Sequence, residues 1–145
     1  MKIDIWSDMR CPFCYIGKRT FEQALEQFPQ KDETEVIWHS FELDPSLKTQ
    51  PSLGLYDYIA DIKGMSRGQV LQLHEHVLDV AGQAGLDFDF EKAVVANSFR
   101  GHRLIQWAKS QGLGNEAEEA LFRAHFSEGK NIDDPDTLVQ IGTGI

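Results

Sequence analysis

The sequence predicts an α/β chain in which one strand–helix–strand unit is followed by a long helical region. Three observations carry this. Residues Lys2 to Ser7 alternate Ile3 and Ile5 with Asp4 and Trp6, the period-2 pattern of a strand. Cys11-Pro12 opens a run with Phe13, Ile16, Phe21, Leu25 and Phe28 at roughly helical spacing, and Glu35 to Leu43 is dense in β-branched and aromatic residues. After Pro45 the signals are those of helices alone.

Proline suits the first helical position, because the N–H it lacks would be unpaired there anyway, so Pro12 predicts a helix starting at once with Cys11 as its N-cap. Pro29 ends that run, and Asp44-Pro45 stops the second strand. Two strands joined by one helix in this span imply a parallel, right-handed crossover. Further on, Ser66 with Gln69 and Asn115 with Glu118 have the spacing of a capping box, and Asp134-Pro135 supplies a cap followed by proline. Gly64, Gly85 and Gly112 sit where helices would end. Helices are expected near 53–63, 67–84, 98–111, 116–127 and 135–141. Lys48 to Ser52 reads as the join between residues 1–47, the strand–helix–strand part, and residues 48–145, a helical insertion subdomain.

At 145 residues, with 41% hydrophobic and 26% charged, the chain is long enough and apolar enough to bury a core. A formal charge of −9 argues against a nucleic-acid partner, whose phosphates need clustered Lys and Arg. The N-terminus lacks the apolar run of a signal peptide, and no stretch approaches the roughly 18 apolar residues of a membrane span. A soluble, cytoplasmic protein is expected. Thiols stay reduced in the cytoplasm, so two cysteines three positions apart read as catalytic or metal-binding rather than as a structural staple.

At a helix N-terminus, unpaired N–H groups and about half a positive charge favour a thiolate, which makes Cys11 the candidate attacking thiol. Cys14, one turn further in, is placed to attack a mixed disulfide formed at Cys11 and release the substrate. Half of a zinc site has the same C-x-x-C spacing, but a second C-x-x-C or an H-x3-5-H is absent. His74 and His76 point to different faces of a helix. His39, His102 and His125 are isolated and read as surface or satisfied core residues. No metal and no cofactor is expected. Pro12, Phe13 and Trp6 are active-site neighbours by position, although Trp6, Trp38 and Trp107 read mainly as core. Asp8 and Arg10 would tune the thiols in opposite directions. The acidic run from Glu116 to Glu119 reads as a solvated helix start.

Ile5-Trp6-Ser7-Asp8 and Cys11-Pro12-Phe13-Cys14-Tyr15-Ile16-Gly17-Lys18-Arg19 closely resemble the FrnE-type branch of the DsbA-family oxidoreductases, in the thioredoxin superfamily. Phe41-Glu42-Leu43-Asp44-Pro45, Gly85-Leu86-Asp87-Phe88, Ala96-Asn97-Ser98-Phe99, His102-Arg103-Leu104, Leu121-Phe122-Arg123-Ala124 and Phe126-Ser127-Glu128-Gly129 resemble the same family in the same order. The resemblance implies a thioredoxin fold with a helical insertion after its second strand. It also implies exchange with protein or small-molecule thiols and disulfides, Cys11 attacking and Cys14 resolving. Members return from the insertion into two more strands and a helix, with a cis-proline beside the reactive cysteine. The sequence ends at Gly142-Thr143-Gly144-Ile145, so the C-terminal half of the thioredoxin sheet is expected to be missing. Two rival functions follow. Glutathione-dependent hydroxychromene-carboxylate isomerases and kappa-type transferases share the layout but carry serine where Cys11 stands. A non-enzymatic binding module, dimeric or with a partner covering the open sheet edge, is the other.

Overall fold

β1 (Lys2–Ser7) and β2 (Glu35–Ser40) run parallel in the computed structural model, which describes residues 1–145, with Lys2 opposite Glu35 and Ser7 opposite Ser40. The crossover is α1 (Pro12–Glu26), followed by a single 3-10 turn at Lys31–Glu33. Pro12 is the first residue of α1 and Cys11 its N-cap, as the sequence predicts. β2 ends three residues earlier than expected. The chain there bends over β1: the Phe41 N–H donates to the Ser7 carbonyl at 3.0 Å and the Leu43 N–H to the Asp8 carboxylate at 2.8 Å.

The region beyond Pro45 is not helical throughout. β3 (Gln50–Gly54) pairs antiparallel with β4 (Val94–Val95), and α2 begins only at Leu55 and runs to Lys63. Pro51 biases Gln50 towards extended backbone. The Thr49 hydroxyl ties the segment down, donating to Asp133 at 2.6 Å and accepting from the Asn97 N–H at 2.9 Å. α3 (Arg67–Gln83), α4 (Phe99–Ser110), α5 (Gly114–Phe126) and α6 (Pro135–Gly144) complete the chain.

The Ser66–Gln69 box forms in both directions, and Asp134 caps α6 through the Thr137 N–H at 2.8 Å. The Asn115–Glu118 box does not form. α5 starts two residues earlier than expected, at Gly114, and the Glu118 side chain turns inward. Gly64, Gly85 and Gly112 all have positive φ at helix ends.

One continuous core joins the strand–helix–strand part to the helices. Tyr15 of α1 stacks on Phe122 of α5 with centroids 4.6 Å apart, and Phe88, Phe90 and Phe126 extend the aromatic cluster. The expectation that the tryptophans are core fails. Trp6 is 61% exposed and Trp107 53%, and Trp38 is half-buried against Phe21. The side chains of one strand face alternate sides of the sheet, so Trp6 lies on the outer side with Asp4, where it stacks on its cross-strand neighbour His39 at 4.6 Å.

Candidate functional site

Cys11 and Cys14 are free and half-buried at the N-terminal end of α1. Cys11 has extended backbone, φ −92° and ψ 114°, and its N–H donates to the Asp8 carbonyl at 3.0 Å, closing a tight turn that aims the chain into the helix. Its carbonyl accepts the Cys14 N–H at 3.1 Å. Pro12 is half-buried beside it, and Phe13 stands 54% exposed between the sulfurs in sequence. Trp6, engaged with His39, faces the outer side of the strand pair rather than joining this group.

The two thiols share a hydrogen bond and titrate as a pair. With Cys11 donating, the Cys14 thiolate is favoured and its pKa falls to about 6, while the same bond together with burial holds Cys11 above the ordinary thiol value. The pair thus gives up one proton more easily than a lone thiol would. The surrounding donors are unevenly placed. Backbone N–H groups of Phe13 and Cys14 face the Cys11 sulfur. Cys14 faces the Asp8 N–H and the Ser7 hydroxyl, but also the opposing charge of Asp8. Moving the one shared proton from Cys11 to Cys14 therefore leaves a thiolate at the helix N-terminus, where no acidic residue lies in the first turn.

Beneath the thiols lies a buried polar cluster. Asp8 is 1% exposed; burial opposes its charge, but hydrogen bonds from His102 at 3.2 Å and the Leu43 N–H at 2.8 Å, with Ser98 nearby, hold its carboxyl below the usual range. Lys18 is fully buried and pairs with Glu22 and, at 3.3 Å, with Glu119. Glu119 also accepts from the Tyr15 hydroxyl at 2.6 Å and from Arg19 at 2.5 Å. Burial pushes Glu118 up to about 7, despite the Lys18 charge, and drives His125 down to about 4, so His125 is neutral at pH 7. A polar groove of about 410 Å³ opens beside the cluster, lined by Ser40, Glu42, Phe99, His102, Arg103 and Gln106.

The acidic run is therefore not merely a solvated helix start: Glu116 is exposed, but Glu118 is buried and Glu119 half-buried. Sequence reasoning also missed Ser7, Lys18 and His102 as parts of the site. One signal was present for Glu118. It shares the spacing i, i+3, i+4, i+7 with Leu121, Phe122 and His125, which is the inward stripe of α5. His74 and His76 do diverge, His74 buried with Nδ1 against the Val70 carbonyl at 2.9 Å and His76 exposed. No group of three or more His, Cys, Asp or Glu side chains is arranged to hold a metal ion. No helix is long and apolar enough to cross a membrane.

The family model of the DSBA-like thioredoxin domain matches residues 2–143. An uncharacterized protein of Bacillus subtilis, YwbO, is 29% identical over 143 residues, covering 96% of this chain and 63% of the relative. Among solved structures, a probable DsbA oxidoreductase from Streptomyces coelicolor superposes with a TM-score of 0.92 at 33% identity, over 99% of this chain and 62% of that one. The cytosolic disulfide reductase DsbM of Pseudomonas aeruginosa shares the fold, with a TM-score of 0.67 at 22% identity over 99% of this chain and 63% of that one, and it has also been solved with glutathione. The chain thus spans under two thirds of the length of these relatives. With the strand–helix–strand unit, the paired thiols at its helix and the helical insertion in place, the chain belongs to the DSBA-like thioredoxin domain family.

Proposed function

We propose that this chain carries the reactive centre of a thiol–disulfide oxidoreductase in which Cys11 attacks and Cys14 resolves. The observation that carries the reading is the placement of two free, half-buried thiols at the N-cap and in the first turn of α1, under its N-terminal N–H groups. A disulfide approaching Cys11 at the helix N-cap would draw the shared proton onto Cys14, leave the thiolate at Cys11 and form a mixed disulfide. Cys14 would then displace the substrate sulfur. Residues 1–47 supply the reacting atoms in this scheme, and residues 48–145 add His102, Glu118 and Glu119 to the buried polar floor that Ser7, Asp8 and Lys18 begin. Having a second thiol in hydrogen-bond contact favours exchange over the glutathione-dependent isomerase or transferase reading, which needs only one reactive position.

Suitable partners are thiols and disulfides, protein or small. Glutathione is a reasonable first substrate, since the Pseudomonas reductase was solved with it and the groove beside His102 offers Arg103 for a carboxylate. We place the reaction in the cytoplasm, where reducing pools would regenerate the dithiol, and assign the protein to the FrnE-type branch. β1 and β2 pair only with each other, so a second copy or partner on an open edge is testable by native mass.

Substitution of Cys11 by Ser should abolish turnover of a disulfide substrate, whereas Cys14→Ser should accumulate mixed disulfides at Cys11, read by intact mass. Alkylation against pH should show one thiol ionising well below the reference of about 8.5. Wild-type reductase activity in both serine variants would end the reading.

A further inference from the structure

We propose that the groove between α4 and the chain leaving β2 holds the α-amino-acid zwitterion of a small thiol or disulfide substrate, with Arg103 taking its carboxylate and Glu42 its ammonium. The inference rests on the dithiol reading above and narrows its substrate class. The groove, of about 410 Å³, is lined by Ser40 and Glu42 on one side and by Phe99, His102, Arg103 and Gln106 of α4 on the other.

Two opposite charges line this groove and neither is paired. Arg100, one turn earlier on α4, is held by Asp133 at 3.8 Å, and Arg123 of α5 by Glu128 at 3.0 Å. Arg103 and Glu42 have no such partner and do not reach each other. Arg103 is exposed and Glu42 half-buried. A cation and a carboxylate set apart across one groove suit a ligand that carries both charges on one carbon, and the guanidinium fork matches a carboxylate in particular.

The hydrogen-bonding groups around them agree. The Gln106 side-chain N–H donates to the Ser40 hydroxyl at 2.8 Å, which leaves the Gln106 carbonyl free to accept. His102, 6% exposed, gives its Nε2–H to Asp8 at 3.2 Å, and its Nδ1 is buried with no partner. A carboxylate only accepts, so the neutral ring carries its proton on Nε2 and Nδ1 is left as an acceptor. An arriving ammonium supplies donors where Glu42, the Gln106 carbonyl and this ring lack them. Exposed Phe99 offers an apolar wall to the ligand's methylenes.

The groove and the thiols share Asp8. The Phe41 N–H bonds the Ser7 carbonyl and the Leu43 N–H the Asp8 carboxylate, so the wall that carries Glu42 is pinned to the end of β1. His102 bonds the same carboxylate, and the Asp8 carbonyl takes the Cys11 N–H at 3.0 Å. A ligand held by its zwitterion is thereby anchored beside the turn that presents Cys11, and such anchoring orients a reacting sulfur. Cystine carries the zwitterion on the cysteine itself and glutathione disulfide on its γ-glutamyl residue.

The test titrates the chain calorimetrically with S-methylglutathione and with S-methylcysteine, which cannot react at the thiols. Wild type should bind, and Arg103→Gln and Glu42→Gln should each weaken binding about tenfold while leaving thermal unfolding unchanged. The N-acetylated form of the better ligand lacks the ammonium. It should bind wild type about tenfold more weakly, and it should respond to Arg103→Gln but not to Glu42→Gln. Tighter binding of S-methylglutathione would assign the γ-glutamyl source, and tighter binding of S-methylcysteine the free amino acid. No binding to wild type, or equal binding by wild type and both variants, would overturn the proposal. Because neither probe needs a cysteine, failure of the groove shows here, whereas failure of the dithiol reading shows in the serine variants above.

Discussion

Glu118 and His125 sit one above the other on the inward stripe of α5, and burial moves their titrations in opposite directions. Glu118, raised from 4.5 to about 7, holds a proton in the folded chain that the unfolded chain has lost between those values. Its contribution is therefore full below pH 4.5 and lost as pH rises through 7. His125, lowered from 6.5 to about 4, does the reverse: the unfolded chain takes up a proton first, so stability is full above pH 6.5 and lost as pH falls through 4. Each swing is on the order of 3 kcal/mol. Between pH 4.5 and 6.5 the two slopes oppose each other. Denaturant unfolding of wild type should accordingly be nearly flat in that window as far as this pair is concerned. Glu118→Gln should unmask a loss of stability on acidification, and His125→Phe a loss towards neutral pH. Identical pH profiles in all three proteins would refute the pairing.

Among the elements, α4 approaches the loop ahead of the thiols through Gly101. A methyl group there would collide with the Met9 sulfur and touch Leu121 at 3.6 Å, and Met9 is 1% exposed. Alanine is worth about 1 kcal/mol over glycine inside a helix, but overpacking a filled core costs about 1–3 kcal/mol. Gly101→Ala should therefore be destabilising on balance in thermal unfolding. Because Met9 lies within the Asp8–Cys11 turn that presents the thiol, the same variant should alter thiol alkylation. A gain in stability with unchanged alkylation would show that the loop yields freely. The capping signals show where element-level reading succeeds. Ser66–Gln69 and Asp134–Pro135 act through groups within four residues of each other and form as expected. Asn115–Glu118 has the same local credentials and fails, because burial of Glu118 against β1 and α1 outweighs a cap that solvent can replace.

At the scale of the molecule, the aromatic cluster is what holds the redox helix to the insertion. Tyr15 follows Cys14 directly and stacks on fully buried Phe122, while its hydroxyl meets Glu119, so packing and polar floor both reach α1 at Tyr15. Phe122→Ala should cost about 3–5 kcal/mol and expose Cys14 to alkylation at denaturant concentrations where the wild type protects it. Uniform unfolding without earlier exposure of Cys14 would mean that the two parts open together. By itself the sequence determined the strand–helix–strand start, the placing of Cys11 and Cys14 at a helix N-terminus and most helix ends, because each rests on spacing and on backbone chemistry within a few residues. Tertiary structure alone decided which charges are buried and what faces the sulfurs. Ser7, Asp8, Lys18, His102 and Glu118 come from β1, the loop after it, α1, α4 and α5, and they converge only when the core closes over them. The same closure turned Trp6 outward and Glu118 inward, since which side of a strand or helix is covered depends on what packs against it.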